Sequence, residues 1–523
     1  MATQLNPITY LAQDFGSFAE LINAHAVNQP DRVALRDDDQ QLTWLATAGL
    51  VNRIAAQLQA EGLQPGQAVS ILGATTVQYA LVYLAAIAAG GCAAPLTTSA
   101  TPAQLSAMML DSGASHLFID SAKRTELNES KIALPSLTHI MLDQAVDNAP
   151  LISDWMAAEG MLPSPHTLTP KDPFNIIYSS GTTGTPKGIV HSHQMRWYQM
   201  CAGEPAGFSM PNQASLLSTP LYSNTTLGVF LITMAYGGTA VLMRKFDCQR
   251  WLTLAETLRV THTMLVPVQY QRLMDFEDFD NYDLSSMQYK NCTSAPFSAE
   301  LKAEVLKRMP GALVEIYSMT EGGVVCLLLA HLHPDKLHTV GVAWQGSEVI
   351  TVDEHLKRLP AGQMGELVGR SRTMMSGYQN QPEKTEEASW YDEHGERWQR
   401  MGDIGFIDDE GFITLMGRSK DMIISGGFNV YPRDLEEILL RQPGVLDAAV
   451  IGIPSKQWGE TPLGFVVLAD DAPVALEVLL AQANAELGKT QRISALRQID
   501  ELPRSHIGKI LKTTLRDLVG DQP

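Results

Sequence analysis

The stretch Tyr178-Ser-Ser-Gly-Thr-Thr-Gly-Thr-Pro-Lys-Gly-Ile-Val-His-Ser-His193 decides how the rest of the chain is read. Phe174 to Tyr178 reads as a short buried strand. The ten residues after Tyr178 hold three glycines, one proline, five hydroxyl side chains and one lysine. Glycines let backbone N–H groups come close to an oxyanion, and hydroxyls and an ammonium add donors. Such a run directly after a strand predicts a phosphate cradle rather than a flexible surface turn. It is not a Walker A loop, because Lys187 is followed by Gly188 and the glycine spacing differs.

Upstream of the cradle, strands and helices alternate. Trp44, Ala48, Val51, Ala55 and Leu58 repeat at helical spacing, with Asn52, Arg53 and Gln57 between them. Gly62 ends that helix and Pro65-Gly66 turns into a strand from Ala68 to Leu72. A helix from Val77 to Ala89, a strand, a helix from Pro102 and a strand from His116 to Ile119 follow. Tyr79 to Leu96 is uncharged, but Gly90-Gly91 and Pro95 break it, so it reads as a buried helix and a strand rather than a membrane span. Alternation of this kind predicts a parallel sheet covered on both faces.

Downstream the alternation resumes. Strands are expected at Ser215 to Pro220, Thr239 to Met243, Thr263 to Val268, Tyr289 to Ser294 and Val314 to Tyr317, with a helix from Leu227 to Tyr236. Their polar tips fall at carboxyl ends, where ligands of open α/β sheets gather. After Met364-Gly-Glu-Leu-Val368 short strands and turns predict a β-rich subdomain. Ser419-Lys420-Asp421 is a polar joint, beyond which roughly a hundred residues suffice for one small α/β domain. Its helix starts near Pro432 and its strands are Ala448 to Ile453 and Gly464 to Leu468. Asp408, Asp409 and Glu410 read as a solvated turn.

The 523 residues exceed one ordinary core, so at least two domains are expected. With 38 basic and 57 acidic residues the net charge is −19, which disfavours nucleic acid and anionic membrane partners. Five scattered cysteines without a CxxC pair argue against a disulfide framework or a zinc site and fit a reducing cytoplasm. The first basic residue is Arg32, so a charged signal-peptide region is not expected.

The cradle resembles the phosphate loop of the acyl-adenylate-forming superfamily, which includes acyl- and aryl-CoA ligases, luciferases and peptide-synthetase adenylation domains. Matching motifs recur along nearly the whole chain. The resemblance implies an α/β fold: a large N-terminal domain of doubly wound sheets with a β-rich subdomain (residues 1–418), a hinge (419–421) and a small mobile C-terminal α/β domain (422–523). It implies an ATP-dependent carboxylic acid:CoA ligase working through acyl-AMP, with ATP, Mg2+ and coenzyme A, as a single chain or a homodimer. Two anions must meet in such a reaction, so the protein has to supply positive charge and aligned donors.

Residue by residue, Ser179, Ser180, Gly181, Thr182, Thr183 and Lys187 match the phosphate loop. Thr320 matches the threonine that touches the α-phosphate, and Glu321 the Mg2+ ligand. Tyr317 matches the aromatic residue on adenine, and Ser294 and Ala295 join it among the nucleotide-binding residues. Asp403 and Arg418 match the ribose-binding pair, Lys420 the hinge, and Gly427 and Asn429 the loop of the thiol-transfer state. Lys509 matches the adenylation lysine. Tyr222, Ser223 and Asn224, with Ser318 and Met319, match the acyl pocket. Ser223 stands where peptide-synthetase domains place an Asp for an ammonium and many ligases a His, so no buried charge awaits an amine. Ser318 replaces the usual Gly and narrows one edge. His191 and His193 are read as structural.

A hydroxyl-bearing pocket points to a benzoate or hydroxycinnamate type of acid, with a medium- or long-chain fatty acid as the alternative. A luciferase-like oxygenase and a non-catalytic binding protein on the same fold also stay open. The latter is expected to lack Lys509 or Glu321, and both are present.

Overall fold

Thr43, Thr76 and Thr101 each accept a hydrogen bond from the backbone N–H three residues on, at 3.2, 3.2 and 3.3 Å. These caps satisfy orphan donors and start the helices Trp44–Ala60, Val77–Ala88 and Pro102–Ser112. The first buries the expected stripe, Trp44, Ala48, Val51, Ala55 and Leu58, and the chain leaves it through Gly62 at φ +89. Val77–Ala88 is buried almost all round, and Cys92–Pro95 follows it as a strand. No helix among the described residues is long and apolar enough to cross a membrane.

The computed structural model describes residues 5–146, 148–179, 186–425, 428–469, 475–488, 491–505 and 508–520, with Ser179 described by its backbone alone. The chain forms two compact units. The first comprises Met1–Leu337, Trp344–Ser347 and Arg370–Gln399, the second His338–Ala343, Glu348–Gly369 and Arg400–Pro523.

Two sheets build the first unit. One runs in the order Gly377–Tyr378, Lys187–Ser192, Pro173–Ser179, Cys92–Pro95, Ala68–Leu72, His116–Ile119, Thr138–Met141. It is parallel from Pro173–Ser179 onward, and Lys187–Ser192 turns back antiparallel. The other runs Gly322–Leu329, Ala312–Met319, Tyr289–Cys292, His262–Leu265, Ala214–Leu217, Thr239–Leu242, Val33–Arg36, Gln41–Thr43. Its middle strands are parallel, as the alternation predicts. A core that includes Trp44, Tyr83, Phe174, Trp197 and Phe230 holds the helices against these strands.

Several elements shift at their ends, such as the strand expected over Ser215 to Pro220, which runs Ala214–Leu217, and the helix expected from Leu227, which starts at Asn224; two departures matter more. The strand expected over Thr263 to Val268 ends at Leu265, because Pro267, with its fixed φ and no N–H, opens the helix Pro267–Met274. The strand expected over Val314 to Tyr317 runs from Ala312 to Met319 and folds straight back into Gly322–Leu329.

In the second unit the C-terminal residues form a sheet in the order Phe428–Val430, Ile423–Ser425, Gly459–Leu468, Val445–Ser455, with Ala495–Gln498 parallel to Gly459–Leu468. Alternate residues of its strands serve two cores. Ala448, Val450 and Val466 pack with Leu435, Leu439 and Ala483 of the helices Pro432–Leu440 and Leu476–Ala485. Ala449, Ile451 and Phe465 pack with Leu515 of Lys512–Val519. The α/β fold class, with its larger and smaller parts, is the one expected.

Candidate active site

Met319 pairs with Gly322, so Thr320 and Glu321 form the tip of the hairpin between Ala312–Met319 and Gly322–Leu329. Gly322 turns the chain at φ +81, and a Cβ there would meet the carbonyl oxygen of Thr373 at 2.2 Å, so only glycine fits. Three contacts fix this tip. His191 Nε2 lies 2.7 Å from the Thr320 carbonyl oxygen. The Met375 N–H donates to the Glu321 carbonyl at 2.9 Å, and the Tyr378 hydroxyl to Glu321 Oε1 at 2.9 Å. Burial, then the Glu321 carboxylate beside it, push the Tyr378 phenol far above its ordinary value. Tyr317, Ser318 and Met319, half-buried, lead into the tip.

Ser180, Gly181, Thr182 and Thr183 of the expected phosphate loop lie outside the described residues, as do Gly427 and the Ser179 side chain. The flanks are described: Ser179 pairs with Lys187 across an antiparallel ladder. The Lys187 ammonium sits 5.2 Å from the centre of the Tyr378 ring. Tyr378 therefore touches both the Glu321 carboxylate and the lysine that closes the loop.

The segment expected to line the acyl site starts a helix. Ser223 caps Asn224–Ala235, its hydroxyl accepting from the Thr225 N–H at 3.3 Å. Tyr222 is buried, which raises the pKa of its phenol, while the side chains of Thr98 and Thr97 pull it back down. Thr225 shares a 2.5 Å hydrogen bond with Ser294, whose φ of +84 is strained for a residue with a Cβ. Ala295 follows, half-buried. Asn224 Oδ1 accepts from Arg196 Nη2 at 2.9 Å. The structure thus gathers Tyr222 to Asn224, Ser294 and the Thr320–Glu321 tip into one unit. His193 is buried edge-on to Phe174, and burial lowers its pKa to about 4, against a pull from Asp172.

In the second unit Asp403 and Arg418 sit opposite each other on paired strands, Nε to Oδ1 at 2.8 Å. Ser419–Asp421 is one turn of 3-10 helix, held by Arg516 on Asp421 at 3.1 Å, with Lys420 exposed. Asn429 is exposed on a short hairpin. Lys509 is exposed as a residue, but its ammonium end is partly shielded, and this lowers its pKa. Arg418 and Lys420 lower it further, against Asp403 and Asp421.

Tyr378, Thr225 and Arg196 were not singled out from sequence. Tyr378 lies 57 residues beyond Glu321 with no local signal. Arg196 did carry one: in the helix His193–Cys201 it shares a face with His193, Trp197 and Met200, all buried.

Residues 22–379 match the AMP-binding enzyme family, and residues 434–509 match the AMP-binding enzyme C-terminal domain. The chain belongs to the AMP-binding enzyme family. It is similar to a feruloyl-CoA synthase of Amycolatopsis sp, 32% identical over 94% of this chain and 96% of that one. It is also similar to a long-chain-fatty-acid–CoA ligase of Mycobacterium tuberculosis, 29% identical over 92% and 93%. The structure of ATP-bound MatB from Rhodopseudomonas palustris superposes with a TM-score of 0.85 at 27% identity, covering 96% of this chain and 99% of that one. Membership in the family bears out the resemblance drawn from the cradle and its companion motifs.

Proposed function

We propose that this family member is an AMP-forming acid:CoA ligase for aromatic acids of the benzoate or hydroxycinnamate type. A carboxylate oxygen of the acid attacks the α-phosphorus of ATP and pyrophosphate leaves. The CoA sulfur then attacks the acyl carbon and AMP leaves with the bonding electrons. Lys187, Thr320 and Lys509 are assigned to the phosphates and the reacting carboxylate, where ammonium and hydroxyl donors offset the repulsion of two anions. Asp403, held by Arg418, accepts from the ribose hydroxyls, and Tyr317, Ser294 and Ala295 face the adenine. Glu321 fits Mg2+: one hard carboxylate, oriented by Tyr378, beside phosphates. The ion's role is to neutralise phosphate charge.

The observation that carries the acid class is the make-up of the acyl segment. The Thr225 and Ser294 hydroxyls meet there, Tyr222 is buried nearby in sequence, and the buried Arg196 guanidinium lies on Asn224. A buried cation disfavours an acid bearing an ammonium, and hydroxyls favour a substituted ring over a bare alkyl chain. The similarity to a feruloyl-CoA synthase supports the same class. Ser419–Asp421 is assigned as the hinge on which the C-terminal residues turn between half-reactions, bringing Gly427 and Asn429 to the thiol. Five free cysteines support a reducing compartment.

A panel of carboxylic acids with ATP, Mg2+ and CoA, followed by AMP release, tests the reading. Benzoates and hydroxycinnamates are expected to turn over best. Faster turnover of alkanoates, the class in the name of the mycobacterial relative, would replace the aromatic assignment.

A further inference from the structure

Arg196 is fully buried, 0% exposed, and its hydrogen-bond partners among the described residues are all neutral. Nε donates to Asn175 Oδ1 at 2.8 Å and Nη1 to Gln199 Oε1 at 2.5 Å. Nη2 reaches two acceptors, Asn224 Oδ1 and His191 Nδ1, each at 2.9 Å. Asn175 Nδ2 approaches the same His191 Nδ1 at 3.1 Å. A guanidinium only donates, so Nδ1 is the acceptor and the imidazole proton sits on Nε2. That proton points at the Thr320 carbonyl, 2.7 Å away. Burial, then the Arg196 charge, hold His191 well below its ordinary pKa and keep it neutral.

One cation thus grips two parts of the site. Directly it holds Asn224, the first residue of the helix that carries the acyl segment. Through His191 it holds the backbone of Thr320, beside Glu321. A buried charge without a carboxylate is costly, and a purely structural position is served as well by an apolar side chain of similar volume. Its placement makes sense as a device that fixes two separate segments relative to each other.

We propose that Arg196 is a positioning residue that couples acid binding to nucleotide geometry, by tying Asn224 and, through His191, Thr320 to one buried guanidinium. The proposal rests on the assignment of these segments to the acyl group and the phosphates. Coupling of this kind is reciprocal: bound acid orders the tip for the nucleotide, and bound nucleotide orders the acyl segment.

The test measures the affinity of the best acid from the panel with and without a non-hydrolysable ATP analogue and Mg2+. Wild-type protein is expected to show mutual tightening on the order of tenfold, within the usual range of site-to-site coupling. In Arg196→Met both ligands still bind, but the tightening falls towards one. Pyrophosphate exchange drops, while attack of CoA on supplied acyl-adenylate changes little. Arg196→Lys, which keeps the charge, recovers part of the tightening. Should Arg196→Met fail to fold, Asn224→Ala cuts the link on the acyl side alone and is expected to lose the same tightening. Undiminished tightening in the folded variants, or none in the wild type, overturns the coupling while leaving the ligase reading in place. Wild-type protein that exchanges pyrophosphate with no acid overturns the ligase reading and the coupling with it.

Discussion

The Tyr378 hydroxyl donates to Glu321 Oε1 at 2.9 Å, and the same ring lies 5.2 Å from the Lys187 ammonium. The strand Gly377–Tyr378 is hydrogen-bonded to Val190 and Ile189, so one aromatic side chain joins the strand after the phosphate loop to the acidic tip. A carboxylate proposed to hold a cation gains from being aimed, and the Tyr378 hydroxyl aims it.

Tyr378→Phe keeps the ring beneath Lys187 and removes only the hydroxyl. A hydrogen bond to a charged group contributes about 1.5–3 kcal/mol, so the Mg2+ requirement of pyrophosphate exchange should rise roughly tenfold or more. The melting temperature should change little. An unchanged Mg2+ titration would detach Tyr378 from the role of Glu321.

Asp403 is buried and paired with Arg418, which is about one-third exposed. In Asp403→Ala the guanidinium can turn to water, so folding is largely preserved. Loss of a charge-assisted acceptor from two hydroxyls should weaken ATP binding by about 2–3 kcal/mol. Calorimetric titration with ATP checks this, and wild-type affinity in the variant would remove Asp403 from the ribose.

Much of this was legible in the chain because the signals are local. The stripe from Trp44 to Leu58 has a helical period, and the Thr43 cap precedes it. The Thr320–Glu321 motif was visible, but its return strand was not. Gly322–Leu329 is a continuous apolar run, and such a run does not tell a buried strand from a helix. Pro267 falls inside the strand expected from sequence although it marks a helix start. Tyr378 and the Arg196 network are long-range products of sheet order, which no window of sequence contains.

His25, His193 and His262 are buried, and burial lowers each to a pKa of about 4. Unfolded, each titrates near 6.5. Between these values the unfolded chain binds protons that the native one refuses, so stability rises with pH. The stabilisation is complete above about pH 6.5 and is lost as pH falls towards 4, by up to about 3 kcal/mol per imidazole. Denaturant melts from pH 7.5 to 4.5 should show this slope, and His262→Gln should lower it by about one proton. A flat profile over that range would contradict the neutral, buried state of these rings.

Lys509 and Gly427 match positions for different half-reactions, and both follow the turn Ser419–Asp421. In this structure the Lys509 ammonium lies within electrostatic reach of Asp403 and Arg418, the pair proposed for the ribose. A domain that turns about Lys420 can present each group in its own step, whereas a fixed one has to serve both from one arrangement. Lys509→Ala should therefore cripple acyl-AMP formation and leave CoA attack on a supplied acyl-adenylate nearly intact. Gly427→Ile should do the reverse, since a branched side chain obstructs the thiol without touching ATP. Lys420→Pro fixes one torsion of the turn and should slow whichever state it disfavours. The lowered pKa of Lys509 adds a sign: in the proposed adenylation role the ammonium is the working form, so adenylation should hold below that pKa and fall as pH rises through it. That decline should begin at lower pH than for a free lysine, and Lys509→Arg should push it upward, because a guanidinium stays charged. Single-turnover assays of each half-reaction across pH decide the matter. Equal slowing of one step by Lys509→Ala and Gly427→Ile would mean that a single arrangement serves both.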